Sequence, residues 1–502
     1  MRTRIYTVLS LVGLLLASCA GKDQNQAISY EISYNVSFDI PSKYLDVEMT
    51  YIPSDGTRAT AGTQAAASAG DVLFKLPAWA PGYYQIMDYA KNLSDFSATD
   101  SKGNALKWDK VGKNGWKVET ADTVRVSYRV FADSRSVAEC RLEEGVAFLP
   151  GNGVFMYVDG DVQHPVDISF TMPSHWSKIS TSLKSEGGRY HAPDFDVLYD
   201  SPFLLGNQYT EFIEHGGHTY EFAVETPQGF AESPIKEDFL KAVDQAVAIF
   251  GETAYDSYHL LLLGAGGGGL EHQSSQADYT AGHWDFATKG EYLRELLFLT
   301  HEYFHNYNVK AIRPIELGPF DYDRENFTTG LWISEGITCF YESVLLERAG
   351  IISDEENLKY LSEYIQDTQN TEGRKHMSMR TSSYDIWLNF FNRNANASQT
   401  TISYYVKGPV IGLLLDCQIR TMTAGAKSLD DLMNTLYWKY YKNGRGFTEE
   451  EFWSDAESVA GGSLSIIRHY VDTTDEIDYD AILNPAGLTL DHGTWSLARI
   501  SE

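Results

Sequence analysis

The chain has 502 residues, of which 43% are hydrophobic and 13% aromatic, and its formal net charge is −29. That length exceeds what one hydrophobic core supports and implies about two to four domains of roughly 100 to 200 residues each. The acidic balance argues against a nucleic-acid or anionic-membrane surface, because its long-range field repels phosphates, and it reads as a solvated surface that favours solubility.

At the amino end, Arg2 and Arg4 precede the short apolar run "IYTVLSLVGLLLA", which closes on small residues. Residues 1–19 therefore read as a secretory signal and are excluded from the fold. The run ends in "LASC", which resembles the lipobox of bacterial lipoproteins, where the Cys becomes the lipidated first residue of the mature chain. An ordinary secreted leader has the same apolar body, and Ser18-Cys19 is what favours lipidation. Cys19 is the expected anchor to the bacterial cell envelope, with the outer membrane the expected membrane and the body facing the periplasm or the outside. Residues 20–28 are polar and aperiodic, as a tether is. No later stretch of about eighteen apolar residues points to a membrane span. Cys140, Cys339 and Cys417 are widely spaced and odd in number, so they read as small buried apolar residues and not as a disulfide framework.

From 29 to 228 the chain alternates apolar with polar residues between Gly, Pro, Asn and Asp clusters, as in "ISYEISYNVSFDI", "LDVEMTYI", "DVLFKL", "TVRVSYRVFA", "VDISFTM" and "TYEFAVET". This predicts a β-rich amino-terminal domain, with the low-complexity "GTRATAGTQAAASAG" as an inserted loop. The pattern changes at Ser233-Pro234, which reads as an N-cap with proline in the first helical position before "IKEDFLKAVDQAVAIF". Residues 229–352 then alternate a buried strand, "YHLLLL", a glycine run and two apolar helices, which is an α/β unit. Ser353 with Glu356, Ser428 with Asp431 and Thr448 with Glu451 fit capping boxes, so 353–490 is expected to be helical and 491–502 a tail. The fold class predicted is multidomain α+β.

The chemistry centres on "FLTHEYFHNYNV". Residues four apart on a helix sit about 40° apart around the axis, so His301 and His305 can present imidazoles to one ion, with Glu302 on the flank of that face. Neutral imidazoles with a carboxylate suit zinc, and a catalytic site needs three protein ligands and an open position. Glu302 would be the general base for water. The alternative is two histidines on a solvated helix, against which stand the apolar stripe of "YLRELLFLTHEYFHNYNV" and the stop at Arg313-Pro314. Glu335 and Glu342 in "LWISEGITCFYESV" lie seven apart on nearly one face of an apolar helix. One could bind the metal while the other holds a ligand histidine from behind, and periodicity does not say which. Gly266 to Gly269 follow a strand and let a peptide backbone come close, and Glu271 just beyond can pair with an ammonium. No Gly-Lys-Ser/Thr follows, so the run is not a phosphate loop.

In order and spacing, "GGGGLEH", "HEYFHNYNVKAIRP", "GPFDYDRENFTTGLWISEG" and "TISYYVKG" resemble the glycyl aminopeptidase family of gluzincin metallopeptidases, relatives of aminopeptidase N, and the resemblance extends from about Tyr34 to Leu490 with "LPAWAPGYY" and "GRGFTEEEFW". The resemblance implies a thermolysin-like catalytic domain at 229–352 and one Zn2+ per chain, bound by His301, His305 and Glu335, with Glu342 behind a ligand. It implies Glu302 as base and Tyr405, two residues before Lys407-Gly408, as the donor to the oxyanion, where a phenol suits developing negative charge. It also implies Glu271 as the group that holds the substrate's free amine, with Gly268 and Gly269 beside the peptide backbone, and a preference for amino-terminal glycine or alanine. Many members continue into a PDZ-like domain, for which no counterpart is expected here. The expected partners are peptides with free amino termini. The alternatives are an endopeptidase with the same zinc site and a non-catalytic, peptide-binding surface lipoprotein.

Overall fold

The computed structural model describes residues 30–53, 70–389 and 393–500. The leader with Cys19, the tether and nearly all of the low-complexity loop lie outside these residues. The amino-terminal region is built on a seven-stranded sheet whose central strands are Val166–Thr171, Tyr30–Asp39, Tyr44–Pro53 and Val124–Phe131. Tyr30–Asp39 runs parallel to the first of these and antiparallel to Tyr44–Pro53. The alternation seen in sequence is the alternation of burial: Leu45, Val47, Met49 and Tyr51 point inward while their neighbours face solvent. The four-stranded sheet containing Asp71–Lys75 and Gly115–Glu119 shares this core through Val72, Phe74, Trp116 and Val118.

The strands β1 (Tyr209–His215) and β2 (His218–Val224) do not join these sheets. They pair instead with β3 (Ser257–Ala265), β4 (Gly269–Glu271) and β5 (Ser275–Thr280) in a five-stranded sheet ordered β1-β2-β3-β5-β4. The α/β unit thus takes two strands from the stretch assigned by pattern to the β-rich domain. Alternation declares a strand but not its partner, and β2 finds its partner by parallel pairing with β3, register Thr219↔Ser257 to Val224↔Leu262. The strand β4 is an edge, paired to β5 on one side.

Five helices surround the site: α1 (Ile235–Phe250), α2 (Lys289–Phe304), α3 (Ile337–Arg348), α4 (Asp354–Asn370) and α5 (Tyr404–Met422). The first starts one residue later than expected, with Pro234 itself at the N-cap and no side-chain cap, while Gly251 ends it at φ 85°. All three capping boxes form, at Ser353/Glu356, Ser428/Asp431 and Thr448/Glu451. The α/β unit and the helical region share one apolar core, from Tyr220 and Phe239 through Leu296 and Ile337 to Leu414 and Leu436. The expected tail contributes the strand Ser496–Arg499, which pairs with Leu488–Asp491, and Leu497 N donates to Ser362 Oγ on α4 at 2.9 Å. Cys140, Cys339 and Cys417 are buried free thiols. Among the described residues no helix is long and apolar enough to cross a membrane.

Two contacts between elements fix the cleft. Asp200, in the β-rich region, accepts from Lys310 Nζ at 2.7 Å and from Gln273 N at 2.8 Å, and it lies 3.2 Å from His272 Nδ1. Burial alone would push Asp200 up, but Lys310 and His272 outweigh it and hold the carboxyl at about 2. At the second contact, Gly336 just before α3 crosses Gly408 of α5 so closely that a Cβ on Gly408 would stand 2.7 Å from Gly336 Cα. Gly408→Ala should therefore cost about 1–3 kcal/mol through overpacking, read as a lowered midpoint in thermal or urea unfolding, and an unchanged midpoint would show that the crossing tolerates a side chain.

Candidate active site

The helix α2 starts on Thr288, whose side chain accepts from Glu291 N, and buries Leu293, Leu296, Leu299 and Thr300 against the sheet. That packing turns its last turn into the cleft. His305 closes the helix with αR backbone, its N–H directed to His301 O, so the pair keeps its helical spacing to the end. His305 is buried, whereas the His301 side chain keeps 12% exposure, leaving a path from solvent.

The two imidazoles face each other through Nε2 at 3.0 Å. Each is oriented from behind: His301 Nδ1 lies 3.1 Å from Glu342 Oε2, and His305 Nδ1 lies 2.6 Å from the carbonyl of Asn308. These acceptors place the protons on Nδ1 and the lone pairs on Nε2. Glu335 Oε2 completes the group, 3.1 Å from His305 Nε2 and 3.7 Å from His301 Nε2, and it has no hydrogen-bond partner although buried. Three inward lone-pair donors at these separations match the tetrahedral edge lengths of a zinc ion with bonds of about 2.0–2.2 Å. The set therefore fits a divalent metal of zinc's preferences, and without a cation an orphaned buried carboxylate would be costly. Burial would push Glu335 up, but with no metal bound, positive charge carried by protonated imidazoles outweighs burial and lowers the carboxyl, the same demand for a cation at this point.

Glu335 sits in a turn of π-helix, Trp332–Gly336, at the entry to α3. Such turns recur at functional sites because the extra residue rotates a side chain off the regular helical face. Asn308 holds the turn in place: its Nδ2 donates to the carbonyls of Ile333 and Ser334 at 2.8 and 3.1 Å while its own carbonyl receives His305. Glu342 is gripped in turn by Tyr364, whose hydroxyl donates to Oε1 at 2.5 Å. Cys339 Sγ also approaches His301 Nδ1, at 3.7 Å, and burial pushes that thiol up to about 11.

Glu302 lies beneath the edge strand. A Cβ on Gly269 would collide with Glu302 Oε1 and stand 2.8 Å from Asp278 Oδ1, so only glycine lets the strand pass over both carboxylates. Burial pushes Glu302 well above the usual carboxylate range, with Asp278 and Glu271 adding to it and His301 opposing. Glu271 can bring a carboxylate oxygen within 4.8 Å of both Glu302 and His305. It is buried, its Oε1 has no partner, and it is covered by the β-rich region: a Cβ on Gly82 would lie 2.5 Å from that oxygen. Gly268 adopts φ 95° and borders open space. Beside Glu271 a cavity of about 250 Å3 opens between the two regions, lined by Gly82, Tyr84, Asp200, Lys310 and Arg313. Tyr405, in the first turn of α5, has its ring centroid 6.4 Å from that of His301, whereas Tyr404 is 1% exposed. Burial first, then Glu335, pushes the Tyr405 hydroxyl well above its ordinary value, so it stays a proton donor.

The structure thus places His301, His305, Glu335, Glu302, Glu271 and Glu342 in one cluster, with Gly269 against Glu302 and Tyr405 beside His301, while Gly268 borders open space. It adds Asp278 beside Gly269, Asn308 against Ile333 and Ser334, and Gly82 against Glu271.

The family model for the peptidase M61 N-terminal domain matches residues 33–207, and that for the M61 glycyl aminopeptidase matches residues 294–411. Among solved structures, an aminopeptidase N family protein from Idiomarina loihiensis is 26% identical at a TM-score of 0.83, over 92% of this chain and 79% of that one. An M1 zinc metallopeptidase from Deinococcus radiodurans, 13% identical, superposes with a TM-score of 0.53 over 89% of this chain and 94% of its own. Legionella pneumophila aminopeptidase A, solved with aspartic acid, is 13% identical with a TM-score of 0.52, over 89% of this chain and 49% of its own. The last two likenesses concern the fold alone. No curated protein matches the chain.

Removing the carboxylate behind His301 tests the metal-binding assignment. Glu342→Gln should weaken zinc about 10- to 100-fold, measured by competition with a chromogenic chelator, and unchanged affinity would make Glu342 a bystander.

Proposed function

The chain belongs to the M61 glycyl aminopeptidase family and is a peptidase, and we propose that it is a zinc-dependent aminopeptidase that removes amino-terminal residues, glycine or alanine by preference, from peptides. The observation that carries this reading is the orphaned, buried carboxylate of Glu271 beside Glu302 and His305. A buried carboxylate without a donor is favourable only when a cation meets it, and the substrate's ammonium is such a cation. The Gly82 loop closes over it from the β-rich region and obstructs residues preceding the amine. The scissile bond then lies one residue along, over Glu302.

His301, His305 and Glu335 would hold the zinc, which when bound supplies a Lewis acid and acidifies water. Glu302, raised by burial, accepts the proton of the attacking water and returns it to the leaving amine. The Tyr405 phenol donates to the oxygen where negative charge develops. The preference for glycine or alanine rests on the family's activity. The cavity beside Glu271 has room for larger side chains, so a panel of first residues separates preference from exclusion.

Matched Gly-first peptides, one free and one N-acetylated, should differ in the wild type: the free peptide loses one residue and the blocked one none, followed by mass spectrometry. Glu302→Gln should keep zinc and lower kcat by about 100-fold or more, whereas Glu271→Gln should raise KM for the free peptide. Internal cleavage of both peptides would favour the endopeptidase alternative.

Attachment to the bacterial cell envelope through Cys19 belongs to the same proposal and is supported by the leader sequence. The full chain expressed in bacteria should partition into detergent, and Cys19→Ala should move it to the aqueous phase. Aqueous partition of both forms would remove the anchor.

A further inference from the structure

From Glu271 the chain runs back through Gly269 to Gly268, Gly267 and Gly266, which border a second cavity, of about 490 Å3. A Cβ at Gly267 or Gly268 would meet nothing, so the backbone there faces open space. The opposite wall comes from α2, with Glu291, Arg294, Glu295 and Phe298. The edge strand and this helix therefore keep step along the cleft. Glu271 stands with His305, Gly269 with Glu302, and Gly266 to Gly268 with residues 291–298. A peptide whose amine is at Glu271 and whose first bond lies over Glu302 has only this direction for its remaining residues.

Arg294 precedes His301 by seven residues, which places it on nearly the same helical face about 10 Å along the axis. It is exposed, and among the described residues it makes no ion pair. The ionisable neighbours on this wall have partners elsewhere, except that Glu295 Oε1 is buried without one. Glu291 Oε2 accepts from Ala287 N at 3.0 Å, Glu295 Oε2 accepts from Ala281 N at 3.2 Å, and His283 faces Asp285 at 3.2 Å. Burial also pushes the Glu295 carboxyl up, which weakens it as a competitor for the guanidinium. An extended peptide advances about 3.3–3.6 Å per residue, so about three residues beyond the cleaved bond cover the 10 Å, and fewer once the reach of the arginine is counted.

Resting on the aminopeptidase reading, we propose that Arg294 receives the free α-carboxylate of the substrate, so that the preferred substrates are short peptides of about three to five residues and not the amino termini of folded or long chains. The guanidinium presents a planar fork to which a carboxylate binds through two parallel hydrogen bonds, a geometry that neither an amide nor an ester reproduces.

The test uses Gly-Ala-Ala and Gly-Ala-Ala-Ala as free acids and as carboxy-terminal amides, with the zinc-loaded soluble chain. Wild type should favour the acids by about five- to tenfold in kcat/KM, mostly through KM. Arg294→Gln should bring acid and amide to the same value, and Arg294→Lys should keep part of the difference, with zinc content equal in all three. Equal rates for acid and amide in the wild type, or a preference that survives in Arg294→Gln, would overturn the carboxylate subsite and leave the aminopeptidase reading intact. Cleavage inside the peptides, or none at any first residue, would overturn the aminopeptidase reading and this inference with it.

Discussion

Two lone pairs and a carboxylate oxygen directed at one point inside the protein form the constraint on which the rest depends. The Nε2 atoms of His301 and His305 stand 3.0 Å apart with Glu335 Oε2 beside them, an arrangement that repels itself unless a cation fills it. Each supporting element can be understood as holding that arrangement against relaxation. Asn308 ties the end of the histidine helix to the turn bearing Glu335, the Tyr364–Glu342 pair fixes His301 from behind, and the Gly336–Gly408 crossing brings the first turn of α5 against the same turn. Loosening any one would let the imidazoles rotate toward other partners.

The histidine pair was legible because helical spacing is a local property: the residues that set it lie within one turn of each other. The third ligand was not, since Glu335 and Glu342 are seven apart and share a face in an ideal helix. The turn of π-helix breaks that equivalence, and no residue type in "LWISEG" announces it. Asn308 reads in sequence as an ordinary polar residue after a helix, and Gly82 as one more loop glycine. Their roles arise when distant segments meet, Gly82 against Glu271 and Asn308 against Ile333.

The same limit explains the sheet. The segment "TYEFAVET" alternates like the strands before it, but what assigns a strand to a sheet is the edge it finds, and β2 finds β3 and lies parallel to it. The apolar helices show the complementary effect. Their stripes were legible, yet nothing in a stripe says whether it faces its own region or a neighbour, and here α2, α3 and α5 bury theirs in one shared core. That shared core makes the α/β unit and the helical region a continuous support for the site, and the β-rich region meets it both along a polar seam at Asp200, Lys310 and Gln273 and through apolar packing, Trp79 and Tyr84 on Trp387 and Phe148 and Leu204 in one cluster with Leu261 and Leu263.

The cleft's charge balance links the metal, the substrate and the fold. Glu271, Asp278, Glu302 and Glu335 are buried together with two histidines. Burial holds Asp278 and Glu302 well above ordinary carboxylates, while Glu335 stays ionised against the imidazoles. A divalent ion at the Glu335 end and an ammonium at the Glu271 end are the charges this distribution lacks. Between them Glu302 is left as a carboxylate of raised basicity, which is the property a base needs if it is to take a proton from water and give it up again. The same carboxylates that would destabilise an empty cleft thus order a peptide in it, amine first, with its carbonyl above the base.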